Sequence, residues 1–522
     1  MIDDRCSTSV AARDRSTEVP LMAGEMGDQV LDQFFGSEEF PIEWESDLEK
    51  KLFWVFDDLH CPHPLSPMFY DIGGWWLTCD HMFRRFGTPF ASDWITKRVN
   101  GYLYTAAVPA DPAWPVDAME YGTRYGARVP LDPTYSDRIG TYLDAVLPTY
   151  GRSFADWWRG RLVPEMERNF AYLEQMLDRQ GELTMMELAV LLEDAIDVHD
   201  RHWKIHWMLN FAQLSATLNL RAVMERVHGR VDEALLGRLQ NSASDRNWDS
   251  IRALWEMKEE VRADAELADA FGHDTAAEII AALGRSDRGD RFIAERVKPY
   301  QKEFGWHAVW SHEFVFPTVY EKMEPLIELV RGYIETDYDY PATMGALQAD
   351  IEAASAEILD GLDGDALMEM RAANEMNLRM APLTPDHHFY IDQGTNARVR
   401  IVLVAIGRKL AESGLLDDPE DVMLLRYNEL RVFMADPDAV DARALVSERR
   451  DERERAFALR PHEWVGTATK TALDFPYNAL WGFPDKFYRE PATAADEVRG
   501  LAASPGVVEG PARNVGSLDE FD

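Results

Sequence analysis

The chain has 522 residues and a net charge of −38, because 92 Asp and Glu outnumber 54 Lys and Arg. A surface this acidic repels phosphate backbones and anionic lipid headgroups, which argues against nucleic acids and membranes as partners. The three cysteines form no CxxC pair, and no stretch has the pattern of a signal peptide or a membrane span, so we expect a cytoplasmic protein.

Helical periodicity dominates the sequence and predicts a mainly α fold, with a short β segment at the C-terminus. Residues 1–40 are polar and acidic without sustained periodicity, and we expect a mostly disordered leader there. Residues 41–460 should form one large multi-helix domain. Residues 461–497 are irregular and aromatic, as in a hinge packed against a helical body, and residues 498–522 carry the β segment.

The first structured part begins near Glu43, where apolar spacing up to Phe56 favours a helix. Three prolines then hold Asp57, Asp58, His60 and His63 on an irregular segment. Two histidines and two carboxylates so close together suit a metal, but turn and cap hydrogen bonds are the commoner reason for such a cluster, and we favour them.

Residues 73–104 form an aromatic-rich stretch that favours a helix and then reaches Asn100-Gly101, a strong turn signal.

A long helix is predicted over Leu183–Val227, which contains no Pro or Gly and begins with a capping box of Thr184 and Glu187. Four polar side chains form one stripe on it: His199, His202, His206 and Asn210. Such a stripe lines a pocket, binds a metal or makes a polar seam between helices, and the seam is favoured from the residues alone.

Two further stretches concentrate polar chemistry. In EFGWHAVWSHEFVFPTVYE, Pro317 should end or kink a helix that carries His307 and Glu313. After two prolines, DHHFYIDQ opens a helix that should stop at Gly414. This helix start holds the densest set of titratable and hydrogen-bonding side chains in the chain: His387, His388, Tyr390, Asp392, Gln393, Arg398 and Arg400.

The tail contains a tight turn, Ser504-Pro505-Gly506, followed by a short Val507-Val508 strand. The sequence of this tail, ASPGVVEGPARNV, resembles the start of the swivelling phosphohistidine domain of the phosphoenolpyruvate-utilising enzymes. This family includes rifampin phosphotransferase and phenylphosphate synthase. DHHFYIDQ is similar to the last large helix of that family's acceptor domain. EFGWHAVWSHEFVFP matches a third family phrase more loosely, with Phe304 in place of a Tyr and His307 in place of an Arg.

The resemblance implies a phosphoryl group that is shuttled by a histidine on a mobile domain, but none of the 13 histidines has the sequence context of that carrier. No GxxxxGK[ST] loop is present either. We therefore expect the acceptor-binding part of a split or truncated phosphotransferase, with an incomplete swivelling domain at residues 498–522. ATP and Mg would be bound by an ATP-binding subunit, the phosphohistidine would come from a swivelling-domain subunit, and this chain would bind no cofactor or metal itself.

Within this hypothesis, the acceptor is a small hydroxylated compound. The many Trp and Phe residues favour an aromatic one. His388 or His387 is the candidate base, Asp392 orients it, and Arg398 and Arg400 are candidate clamps for the phosphoryl group. The residues expected to bind the acceptor are His60, His63, His199, His206, Asn210, His307, Glu313, Tyr390 and Gln393.

Other readings stay open. The chain could be a non-catalytic small-molecule-binding or regulatory protein derived from this family, or a drug-inactivating phosphotransferase like the rifampin enzyme. A helical metal-dependent enzyme that uses the stripe of His199, His202 and His206 is the third alternative.

Overall fold

The computed structural model describes residues 30–79, 81, 85, 91–109, 150–469 and 472. Helices dominate these residues, which confirms the predicted mainly α fold. The α-helices of the described residues include Asp47–Lys51, Pro67–Ile72, Val163–Leu177, Met185–His228, Glu233–Leu239, Arg246–Ala263, Ala265–Phe271, Ala276–Leu283, Asp287–Phe292, Lys298–Phe304, Glu324–Glu335, Tyr340–Glu357, Gly364–Met380, Leu383–His387, Gly394–Glu412, Tyr427–Ala435 and Ala442–Phe457. The π-helical turns are Trp158–Leu162, Ile293–Val297 and His388–Gln393, and the 3-10 turns are Trp75–Leu77, Pro419–Leu424 and Pro437–Ala439.

A five-stranded antiparallel sheet lies beside the helices. Its strands in chain order are β1 (Val30–Phe34), β2 (Phe53–Phe56), β3 (Ala91–Val99), β4 (Tyr102–Pro109) and β5 (Trp464–Thr469). The order across the sheet is β1-β5-β2-β4-β3, so the last strand pairs with both β1 and β2.

The hairpin between β3 and β4 follows from its turn residues. Val99 pairs with Tyr102, and the two residues between them, Asn100 and Gly101, both have positive φ, at 49° and 88°. Asn and Gly tolerate this conformation best, and two such residues match the twist of the flanking strands. The predicted turn is therefore confirmed.

Two predicted helical stretches are wrong in part. The run FWVF at β2 is a strand with all four residues buried, although apolar spacing favoured a helix there. Residues 91–99, also expected to be helical, form β3. Short apolar aromatic runs suit a buried strand as well as a helix, and pairing with neighbouring strands decides between them here.

Two predictions of irregular structure also fail locally. The expected leader contains β1, and the expected hinge contains β5, which is buried over its four central residues. The hinge segment thus contributes an interior strand of the sheet, paired on both sides. The predicted β segment at residues 498–522 lies outside the described residues.

The long central helix is Met185–His228, close to the predicted Leu183–Val227. Its first turn has the predicted capping box, in which Thr184 and Glu187 satisfy each other's backbone amides, and Gly229 ends it in a left-handed conformation. At 1.5 Å per residue the helix is about 66 Å long. Its middle third is buried on nearly every face, so it forms the axis of the main hydrophobic core.

The helix Gly394–Glu412 is the second central element of that core. It is buried continuously from Gly394 to Gly407, and it packs against the long helix and the turn Pro419–Leu424. Gly407 permits this packing, because a Cβ there would lie only 1.9 Å from the carbonyl oxygen of Pro419. Gly414 follows the helix end with positive φ, close to the predicted stop.

Other predicted boundaries hold less well. The helix expected to reach Pro317 ends at Phe304, and Pro317 lies in an irregular segment before Glu324–Glu335. Among the described helices, none has the length and apolar character that crossing a membrane requires.

Candidate functional site

The candidate site is built on the π-helical turn His388–Gln393. This turn joins the short helix Leu383–His387 to the core helix Gly394–Glu412. A π-turn is wider than an α-helical turn, so side chains five residues apart can approach one another as well as those four apart. As a result His387 and His388 both reach the carboxylate of Asp392.

His388 and Asp392 form a close pair. Nδ1 of His388 contacts Oδ2 of Asp392, and 49% of the His388 side chain is exposed, against 2% of the Asp392 side chain. Although burial opposes it, the neighbouring carboxylate raises the pKa of His388 above its ordinary value. Burial would also raise the pKa of Asp392, but His387 and His388 hold it well below its usual range.

His387 and His206 extend the pair into the protein interior. Nε2 of His387 lies 3.4 Å from Oδ2 of Asp392, and its ring stands 4.9 Å from the ring of His206 on the long helix. Nε2 of His206 lies 2.8 Å from the amide nitrogen of Asn210. Burial and the nearby His387 lower the pKa of His206 well below its ordinary value, which favours the neutral imidazole.

A second pair of histidines approaches from other segments. Nδ1 of His60 lies 2.9 Å from Asp57, and its ring stands 5.2 Å from that of His312. His312 is buried, and this burial lowers its pKa to about 4 despite the neighbouring charge of Asp392. His312 is not among the site residues selected from the sequence. The signal that could have found it is its place in the EFGWHAVWSHEFVFP motif.

Arg398, a predicted phosphoryl clamp, is engaged in a buried ion pair. Its guanidinium contacts Glu174, donates to the carbonyl oxygen of Gly394 at 2.7 Å, and lies between the rings of Phe170 and Trp306 at 3.7 and 3.8 Å. Burial lowers its pKa to about 10, with Glu174 opposing the shift. Its role as a clamp stays a prediction, and it would require phosphoryl oxygens to replace Glu174.

The guanidinium group of Arg400, the second predicted clamp, is also paired with carboxylates and a carbonyl oxygen. It donates to Glu321 at 2.9 and 3.1 Å and to Glu420 at 2.6 Å, and it also contacts the carbonyl oxygen of Phe314. These bonds join three segments around the core helix. A charged group this well paired stabilises the packing of those segments, so a transfer role for Arg400 likewise stays a prediction.

Several predicted acceptor-binding residues have described contacts outside the histidine cluster. Glu313 accepts hydrogen bonds from Oγ and the backbone N–H of Ser66 at 2.6 and 2.5 Å, and burial raises its pKa. The hydroxyl of Tyr390 donates to Glu167 at 3.2 Å.

The remaining predicted acceptor-binding residues are three histidines and a glutamine, whose described contacts also lie outside the histidine cluster. His199 lies 3.1 Å from the carbonyl oxygen of Gly73, and His307 lies 2.7 Å from that of Phe304. His63 contacts the ring of Trp310 at 4.9 Å. Gln393 lies with Asn396 and Arg400 along a narrow crevice.

A separate concavity of about 180 Å³ lies near Arg398 and contains none of the predicted site residues. It is lined by Glu174, Asp178, Lys298, Gln301, Lys302, Trp306 and Tyr320. We place the site at the histidine cluster because its acid–base groups contact one another there.

Residues 205–381 match the sequence profile of the rifampicin phosphotransferase fourth domain. Over these residues the chain is similar to proteins of the rifampin phosphotransferase-like family. The matched residues include His206, Asn210 and His312 and end just before the turn that carries His388.

Two relatives are similar over longer stretches. An uncharacterized phosphotransferase, YvkC, of Bacillus subtilis is 25% identical over 317 residues, which are 60% of this chain and 37% of that protein. Chondramide synthase cmdD of Chondromyces crocatus is 24% identical over 503 residues, 91% of this chain and 12% of that protein. The chain therefore spans much less than two thirds of either relative. The matched domain model and YvkC are both described as phosphotransferases.

Proposed function

We propose that the helical body is the acceptor-binding component of an ATP-dependent phosphotransferase. The observation that carries this proposal is the pair of His388 and Asp392, in which a buried carboxylate holds one ring nitrogen of a half-exposed imidazole. This arrangement orients a base and stabilises its protonated form after the base has taken a proton. The relation to rifampin phosphotransferase supplies the class of reaction.

The proposed step transfers a phosphoryl group from a phosphohistidine to a hydroxyl. As the acceptor oxygen attacks phosphorus, its proton moves to Nε2 of His388, since Nδ1 faces Asp392. The new P–O bond forms while the P–N bond of the carrier breaks, and the bonding electron pair stays on the carrier imidazole. Positioning and charge stabilisation supply most of the rate of such reactions.

We further propose that ATP and Mg are handled by an ATP-binding subunit, and that a swivelling-domain subunit brings the phosphohistidine to this site. An aromatic acceptor is supported by the rings around the cluster. Trp203 stands 4.8 Å from His206, and Trp75 stands 6.1 Å from His60. Both rings are buried, and an acceptor bound beside these imidazoles would pack against them most favourably if it were itself aromatic.

The test is an assay of the full chain with the two partner proteins, ATP, Mg and a panel of phenols and alcohols, in which phosphate esters are detected by mass. His388→Gln should reduce transfer by at least about 100-fold, as expected for loss of a general base. The affinity for the acceptor should change little.

His228→Gln is the matched control, because His228 lies at the far end of the long helix, where its Nε2 is 3.0 Å from the carbonyl oxygen of Ile358. Near-normal turnover in His388→Gln would contradict the proposal. Transfer by this chain with ATP alone would contradict the requirement for partner subunits.

A second candidate is a non-catalytic small-molecule-binding or regulatory protein. It is favoured by the ion pairs of the buried Arg398 and Arg400, because both predicted clamps are already paired with carboxylates. Binding of an acceptor without transfer, in the presence of both partners and ATP, would support this candidate.

A further inference from the structure

The buried side of the cluster has a feature that the proposed transfer step does not use. His206, His387 and Asp392 are all buried, and each offers one ligating atom such that the three atoms lie within 4.8 Å of one another. His206 comes from the middle of the long helix, whereas His387 immediately precedes the π-turn and Asp392 lies within it. Two separate elements therefore converge on one small volume.

Each of these three residues has a buried polar atom that lacks the partner buried groups normally have. Within the part of the chain that the structure describes, Nδ1 of His206, Nδ1 of His387 and Oδ1 of Asp392 are buried and make no hydrogen bond. An unsatisfied buried polar group destabilises the folded state, because it has lost its hydrogen bonds to water without replacing them. Three such groups on neighbouring side chains indicate that a ligand satisfies them.

We propose that His206, His387 and Asp392 bind one divalent transition-metal ion. Two imidazoles and a carboxylate suit Zn²⁺ and its first-row neighbours. Ligand atoms around Zn²⁺ lie about 3.3 Å apart when each is about 2.0–2.1 Å from the ion. Side-chain rotations that draw the three atoms together by about 1.5 Å or less would complete that geometry. This differs from the expectation that the chain binds no metal.

The surrounding residues fit the needs of metal ligands. The side chain of Asn210 lies 2.8 Å from Nε2 of His206. A half-turn of its amide places the oxygen there, so that it accepts the Nε2–H and leaves the lone pair of Nδ1 for the metal. Oδ2 of Asp392 contacts His388, which leaves Oδ1 for the ion. The hydrogen bonds of the outer groups thus orient the ligands.

Three protein ligands leave a coordination position open. If the proposed transfer reaction is correct, an acceptor hydroxyl bound at that position would lose its proton to His388 more readily, because a metal ion lowers the pKa of the oxygen it binds. The metal site itself does not depend on this reaction. It can be measured without nucleotide, acceptor or partner proteins.

The experiment uses the full chain after dialysis against a chelator, titrated with Co²⁺ and then Zn²⁺. We expect saturable binding of one equivalent, with the visible absorption of Co²⁺ in a low-coordinate site and its loss when Zn²⁺ displaces it. Zn²⁺ should also raise the midpoint of thermal unfolding. Asp392→Asn and His206→Gln should each weaken binding by at least about tenfold.

His202→Gln is the matched control, because His202 is a buried imidazole on the same helix whose contacts lie with Asn169 and Thr395. Its affinity for Co²⁺ should equal that of the parent protein. Circular dichroism without metal checks that each variant folds, and if Asp392→Asn does not fold, His206→Gln and the parent titration decide. Absence of saturable binding, or equal weakening in His202→Gln, would overturn the proposal. Metal binding without transfer would overturn only the proposed function.

Discussion

At the scale of single residues, burial keeps several histidines neutral. His202 is fully buried, lies 3.0 Å from Oγ1 of Thr395 through Nδ1, and lies 3.2 Å from the amide of Asn169 through Nε2. Burial, assisted by the charge of Arg398, lowers its pKa to about 3. Neutral imidazoles of this kind act as uncharged hydrogen-bonding groups of the core, which agrees with the polar-seam interpretation for this member of the stripe.

The lowered pKa of His202 predicts acid sensitivity. The unfolded chain takes up a proton near pH 6.5 whereas the folded protein does so near pH 3, so stability falls as pH decreases between these values, by up to about 1.4 kcal/mol per pH unit. His202→Gln removes this term. Denaturant unfolding at pH 6.5 and pH 5 should show an acid-induced loss of stability that is smaller in the variant by up to about 2 kcal/mol.

The variant should be less stable than the parent protein at pH 7, since it disturbs two buried contacts. His228→Gln serves as the comparison, because its histidine is an exposed residue at a helix end. An identical pH dependence in the parent protein and His202→Gln would show that His202 does not stay neutral in the folded state.

The candidate site could be found in part from the sequence, because DHHFYIDQ places two imidazoles and a carboxylate within six residues. Periodicity could not say which histidine reaches Asp392, since the turn there is wider than an α-helical turn. His206 and His312 come from distant segments, and only tertiary packing brings them to the cluster. The buried pairing of Arg398 with Glu174 was equally hidden, because nothing near Arg398 in the sequence points to residue 174.

At the scale of elements, close packing depends on one glycine in the core helix. Gly407→Ala would place a Cβ 1.9 Å from the carbonyl oxygen of Pro419, and this backbone atom has little freedom to move. We expect a loss of about 1–3 kcal/mol in the free energy of unfolding, as for other overpacked cores. Denaturant unfolding measures it directly.

Gly345→Ala is the matched control, because it lies inside the helix Tyr340–Glu357 and a Cβ there would meet nothing within 4 Å. Alanine is the better helix former by about 0.5–1 kcal/mol, so this variant should gain stability. A similar effect of both substitutions would indicate that Gly407 is not in close contact with the turn at Pro419.

Elements with long and regular patterns were predictable, and short apolar ones were not. The helix Met185–His228 carries both a capping box and a glycine stop, so local signals fix both of its ends. The strands β2 and β5 are four and six residues long, and their neighbours in the sheet are far away in sequence. Their conformation is set by those neighbours and by burial rather than by any local signal.

At the scale of the whole molecule, β5 lies near the end of the described chain and pairs with β1, which lies at its beginning. It lies between β1 and β2, so its removal would leave the edges of both strands unpaired. The test compares a variant that ends at Arg460 with a variant that ends at Ala472. The shorter variant should lose at least about 3 kcal/mol, because several buried side chains worth about 1.5–3 kcal/mol each lose their cover.

The shorter variant should also aggregate more readily, since unpaired strand edges template association. Thermal unfolding and light scattering at several concentrations measure both effects. Equal stability and solubility of the two variants would mean that β5 contributes little to the sheet, in spite of the pairing of Trp54 with Val465 and of Phe34 with Gly466.

Because β1 pairs with β5, these two strands cannot pair until nearly all of the described chain has been synthesised. Val30 pairs with Thr469, and about 440 residues of chain separate them. A ribosome adds about 5–20 residues per second, so β1 leaves the exit tunnel roughly 20 to 90 seconds before its partner exists. During that interval the edge of β2 is also incomplete. The nascent chain therefore has a long window in which a chaperone, or a second nascent chain on the same message, can reach these strands first.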